Sequence, residues 1–86
     1  MTKLPYEELE RQIKDAKESI IPGSKWRHYK GGEYTIKDIV VMEENQSLAV
    51  VYTSIAHPTV SFVRPLTVWD EQVEWEGQIV SRFASV

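Results

Sequence analysis

The sequence of 86 residues contains no cysteine. That absence removes disulfides, thiolate nucleophiles, iron–sulfur ligation and all-cysteine zinc sites. It leaves stability to packing alone, as suits a reducing compartment. Long apolar runs are missing too: the longest are a few residues, against the ~20 that a membrane-spanning helix requires. The first residues, Met1-Thr2-Lys3-Leu4-Pro5, open no apolar segment of the signal-peptide kind. A cytoplasmic protein with no membrane partner is the expectation. Positive charge is in short supply, with ten lysines and arginines against thirteen aspartates and glutamates and a net charge of −3. Such a chain is a poor general binder of polyanions, because counterion release depends on clustered cations; only a local basic patch reverses that average. There are two histidines, His28 and His57. A metal site would need both, plus a carboxylate, from distant segments, and none is expected, nor any cofactor. No Gly-x-Ser-x-Gly elbow and no Walker or Rossmann spacing occurs, so no catalytic residue is assigned.

What is present fits one small folded domain spanning 1–86, with 42% hydrophobic and 27% charged residues. An N-terminal helical part, 1–22, precedes a β-part, 23–86. Over residues 6–21, Leu9, Ile13, Ala16 and Ile20 recur at intervals of four, three and four, the spacing of one helix face. Pro5 suits the first helical position, and Glu7, Glu8 and Glu10 suit the positive end of the helix dipole. Glu7–Arg11 and Glu10–Lys14 are expected four-apart pairs, and Pro22-Gly23 stops the helix. The narrow apolar stripe predicts docking on the β-part of the same chain, with a second copy, hence a homodimer, as the alternative.

After Gly23 the period falls to two. Trp26, His28 and Lys30 alternate with Lys25, Arg27 and Tyr29, and Gly31-Gly32 permits a tight turn or bulge. The alternation from Tyr34 and Ile36 slips at Lys37-Asp38 before Ile39-Val40-Val41-Met42, which predicts a β-bulge or strongly bent strand. Leu48–Ile55 is apolar on both faces, as a central strand requires. A loop at Ala56-His57-Pro58-Thr59 leads into a strand ending at Pro65. Pro65–Gln72 reads as a helical turn, Glu76-Gly77 as a two-residue hairpin turn, and Gln78–Phe83 as the last strand. The expected class is α+β: an N-terminal helix, then a small, strongly bent antiparallel sheet or SH3-like barrel with a helical turn before the last strands.

One stretch organises the rest: Arg27-His28-Tyr29-Lys30-Gly31-Gly32-Glu33-Tyr34. Together with Val51-Tyr52, Val63-Arg64-Pro65-Leu66, Gly77 and Arg82-Phe83, it resembles a bacterial domain family of unknown function, number 1653 in that series, over residues 23–83. The sequence departs from that pattern at Ala56-His57-Pro58-Thr59, where the family carries an aspartate- and glycine-rich loop, and at Phe62, where it carries tryptophan. The resemblance implies a small β-domain of the bacterial cytoplasm and no activity.

The candidate ligand-binding residues are Trp26, Arg27, His28, Tyr29, Lys30, Glu33, Arg64 and Trp69. Aromatic rings beside cations can stack a planar group and contact phosphates, although rings of this size also fill small cores. The reading favoured is a non-enzymatic binding or accessory module with an aromatic and basic groove for a peptide, a nucleotide or nucleic acid. One alternative is a small enzyme or metabolite-binding domain that takes an anion with His28, Arg64 and Glu33. Another is a homo-oligomeric structural protein. Arg64 alternates with Phe62, which predicts that both point inward. Its permanent charge then needs a partner: Glu33 is the first choice, an anionic ligand flanked by His28 and Lys30 the second.

Overall fold

The computed structural model describes residues 4–86. Helix α1 (Tyr6–Ser19) leads into β1 (Lys25–His28), β2 (Glu33–Val41), β3 (Leu48–Ser54) and β4 (Ser61–Pro65). A single turn, α2 (Leu66–Trp69), is followed by β5 (Gln72–Trp75), β6 (Gln78–Ser81) and β7 (Phe83–Ser85). The class is α+β. Five antiparallel strands run in the order β4-β3-β2-β1-β7, and β5 and β6 form a separate hairpin. The sheet is bent but not closed, so of the two forms expected the open one is found, without an SH3-like barrel.

The apolar spacing of α1 is used within its own chain. Leu9 and Ile20 are buried, and Ile13 and Ala16 pack against a core of Ile36, Ile39, Leu48, Val50, Tyr52, Trp69 and Phe83. A second copy is therefore not needed to cover the stripe. Pro5 stands just outside the helix as its N-cap, with extended backbone. The expected pairs Glu7–Arg11 and Glu10–Lys14 give way to Arg11 bridging Glu8 and Asp15, since one guanidinium fork reaches both carboxylates of its own face. The helix ends earlier than Pro22-Gly23, at Ser19 with Ile20 as its C-cap; Gly23, at φ +90°, then turns the chain, and its N–H donates to the Ile36 carbonyl at 2.8 Å. That bond ties the linker to the sheet.

The phase slip falls where the sequence places it: the β2–β3 register shifts between Ile36 and Asp38. The extra residue keeps Ile36 and Ile39 both buried and sharpens the local twist. Strand β3 has neighbours on both sides, and Leu48, Ala49, Val50, Tyr52 and Thr53 are all buried. At the hairpin turn Glu76 and Gly77 both have positive φ, 52° and 80°, the signature of a type I′ turn.

One expectation is corrected. Gln78–Phe83 is not a single strand; it breaks at Arg82. The Arg82 N–H donates to the Glu71 carbonyl and its carbonyl accepts from Tyr29, so the chain switches partners there. From β6, which pairs with β5, it passes to β7, which pairs with β1. Phe83 thereby enters the core. Its ring stacks on Trp69 of α2 at 3.8 Å and lies 5.8 Å from Tyr52 of β3. These rings fill the space between the two edges of the bent sheet.

Candidate functional site

Three stretches far apart in the chain meet at this seam: His28-Tyr29-Lys30, Arg64 and Arg82-Phe83. Strand β1 ends at His28 because the turn Tyr29-Lys30-Gly31-Gly32 begins. Gly31 takes φ +107°, and the His28 N–H donates to the Gly32 carbonyl at 2.7 Å. Gly32 is needed for a different reason. A Cβ there would lie 2.9 Å from the Tyr34 hydroxyl, so the turn is bare where that ring folds across it. The imidazole of His28 packs edge-on against Phe83 at 5.0 Å. Its Nδ1 accepts the Lys30 backbone N–H at 3.1 Å, which puts the proton of the neutral ring on Nε2.

Arg64 reaches the same ring from the opposite edge of the sheet. Its guanidinium carbon stands 5.6 Å from the Phe83 centroid, and its Nε–H donates to the Tyr52 hydroxyl at 3.2 Å. Arg64 is half-buried, and among the described residues no carboxylate pairs with it. The expected Arg64–Glu33 pair is therefore corrected. Glu33 bonds Arg27, its direct cross-strand partner, at 2.8 Å, and that bond holds its carboxyl below the usual range. The same contact takes Glu33 out of the set it was expected to form with His28 and Arg64.

Burial lowers the His28 pKa first, and the nearby charges of Arg82, Arg64 and Lys30 push it the same way. Arg82 joins the cluster with its own partner, a 2.8 Å bridge to Glu71. Lys30 Nζ lies 5.7 Å and the Arg82 guanidinium 6.0 Å from the Tyr29 ring. One histidine and three permanent cations thus gather on the rings of Phe83 and Tyr29, in a chain whose net charge is negative. Donors available to a ligand are the free guanidinium N–H groups of Arg64, the Nε2–H of His28 and the ammonium of Lys30. Donors of this kind suit the chemistry of an oxoanion.

Of the eight sequence candidates, His28, Tyr29, Lys30 and Arg64 come together. Arg27 and Glu33 neutralise each other away from the seam. Trp69 is only 1% exposed and offers a ligand no surface; it is the centre of the core, stacked on Phe83. Trp26 is half-buried against that core, 5.6 Å from Trp69, and its indole N–H donates to Ser24. Sequence reasoning missed Arg82, Phe83 and Tyr52 as parts of this cluster. The signal for the first two was the break in alternation ahead of the last strand. A groove of about 510 Å³ runs between the β5–β6 hairpin and β1–β7, lined by His28, Tyr29, Trp75, Val80 and Ala84 with Arg27, so it shares His28 and Tyr29 with the cluster. It is aromatic, but Arg27 is already paired. Among the described residues no group of three or more His, Asp or Glu is placed to hold a metal ion, and no helix is long and apolar enough to cross a membrane.

A family model described as "Protein of unknown function (DUF1653)" matches residues 24–85. The chain belongs to the DUF1653 family. The crystal structure of a DUF1653 protein from Bordetella bronchiseptica is similar to it at 32% sequence identity, with a TM-score of 0.68 over 80% of this chain and 90% of that one. No curated protein matches. The match begins at Ser24, so α1 precedes the part that defines DUF1653, and every member of the cationic cluster lies within it.

Proposed function

We propose that this DUF1653 protein is a non-enzymatic binding module of the bacterial cytoplasm that holds an anionic group at Arg64, His28 and Lys30. The observation that carries the reading is Arg64: half-buried, bonded to a neutral hydroxyl, with no carboxylate partner among the described residues, beside other cations. Partly buried charges are ordinarily paired. A cluster of like charge lowers stability unless an incoming anion offsets it. The arrangement favours binding over catalysis because the one residue suited to proton transfer, His28, has Nδ1 occupied by a backbone N–H and no carboxylate to orient it. Acid–base work needs a base with a free lone pair aimed at substrate.

The test is thermal unfolding of wild type and Arg64→Met with increasing inorganic phosphate or sulfate. A ligand that binds only the folded state raises the midpoint as its concentration passes its Kd. The wild type should gain several degrees and Arg64→Met should not. Equal gains in both proteins would show a general salt effect and defeat the reading.

A further inference from the structure

Phe62 sits two residues before Arg64 on β4, so the two side chains share a face and stand ~7 Å apart along the strand. That face is otherwise core, yet Phe62 is 44% exposed. Its ring stacks on Tyr52 at 5.6 Å and lies 6.5 Å from Tyr34. Beside it is a small cavity of about 270 Å³ lined by Tyr34, Ser54, His57, Val60 and Phe62. Two of its walls are aromatic, and its rim carries an imidazole and a hydroxyl. Ser54 Oγ already accepts the His57 backbone N–H at 3.3 Å, which steadies that rim. An apolar slot for a flat ring thus shares Phe62 with the β4 face that carries Arg64 two residues on, while Arg64, His28 and Lys30 stand outside its lining.

Resting on the anion reading above, we propose that the ligand is a planar ring carrying one phosphate, of the nucleoside monophosphate class. Its ring lies against Phe62 and Tyr34, and its phosphate lies between Arg64, His28 and Lys30. The alternation of β4 sets the spacing. Exposed Phe62 supplies a stacking face, which tolerates any flat ring. His57 and Ser54 meet the polar edge of the ring. A long polyanion is disfavoured by the net charge of −3 and by the cations gathering at one point instead of along a track.

The experiment is an amide NMR titration of the full chain with inorganic phosphate, adenosine, adenosine 5′-monophosphate and a short single-stranded oligonucleotide. It is repeated on Phe62→Leu and Arg64→Met, each first checked for a wild-type-like spectrum. Adenosine monophosphate should bind about tenfold or more tighter than phosphate, the range expected of one stacked ring. It should shift both the Val60–Phe62 and the His28–Lys30 amides. Phe62→Leu should bring its affinity down to that of phosphate, which itself stays unchanged, while Arg64→Met should weaken both. If phosphate binds at Arg64 and adenosine monophosphate binds no tighter, the ring slot is refuted and the anion site stands. If neither binds, both fall. Adenosine binding as tightly as its monophosphate would refute the coupling of ring and phosphate. An oligonucleotide binding far beyond its mononucleotide would replace this ligand by a polymer.

Discussion

Replacing Arg64 by methionine separates two accounts of a half-buried cation. Were Arg64 one half of a buried ion pair, removing it would strand a carboxylate and cost about 3–5 kcal/mol. Among the described residues there is no such carboxylate. What the substitution removes is one hydrogen bond, Nε to the Tyr52 hydroxyl at 3.2 Å, and a cation over the face of Phe83. A hydrogen bond from a charged donor contributes about 1.5 kcal/mol at this order of magnitude, and a partly solvated cation–ring contact ~0.5–1 kcal/mol. Against these stand two gains. A thioether on Phe83 restores ~0.3–1.5 kcal/mol, and repulsion from Arg82 and Lys30 is relieved.

The net expectation is a loss of about 1 kcal/mol, and no more than about 2. Urea unfolding in a low-phosphate buffer measures it, with the slope of the transition checked so that both proteins expose the same surface. The His28 ring supplies a second reading: with Arg64 gone, one of the charges that lower its pKa is gone. Its titration by NMR should move up. A loss of about 3 kcal/mol or more with no movement of His28 would mean that Arg64 is structural, one half of a buried ion pair.

The remaining predictions concern His28 and α1. The folded-state pKa of His28 lies below its ordinary 6.5, so the folded state resists its protonation. This contribution to stability is complete above about pH 6.5 and is lost as the pH falls from there through the folded value. His28→Gln should flatten that acid limb of a stability–pH curve, whereas saturating phosphate should raise the His28 pKa; an unchanged limb in the variant would remove His28 as its source. For the helix, Ile20 is 3% exposed, and Ile20→Ala should cost about 2–4 kcal/mol by chemical denaturation. A cost under 1 kcal/mol would mean that α1 is not docked.

The features legible in the sequence are those set by near neighbours. The four-three-four spacing of α1, the slip at Lys37-Asp38 and the Glu76-Gly77 turn each declare themselves within a few residues, and each is found. The partner of Arg64 was not legible. It depends on how far the sheet bends, which a string of short strands does not state. The Arg27–Glu33 pair, by contrast, was within reach. Once Gly31-Gly32 is read as the hairpin turn between β1 and β2, residues 27 and 33 stand opposite each other, and opposite charges there attract. Assigning Glu33 to a distant arginine overlooked the nearer one. Trp69 illustrates a different limit. An aromatic three residues after a leucine in a four-residue turn gives too short a pattern to tell a core ring from a binding ring, and only the stack on Phe83 decides it.

The position of the cationic cluster follows from the way the sheet fails to close. Closure would require β4 to pair with β7. Pro65 ends β4 without an N–H to donate, and α2 leaves the sheet at the next residue. On the other side β7 is only three residues long, because its chain has just left the hairpin at Arg82. Neither edge can extend the ladder, so the gap is filled by side chains, with Trp69 and Phe83 stacked across it. The residues flanking each break are arginines: Arg64 directly before Pro65, and Arg82 directly before Phe83. The two chain breaks that keep the sheet open therefore also deliver two guanidinium groups to one seam, next to the turn that ends β1 and supplies His28 and Lys30. Extending β7 back through Arg82 would set that side chain on the face opposite Phe83 under the two-residue period of a strand and remove it from the cluster without touching Arg64.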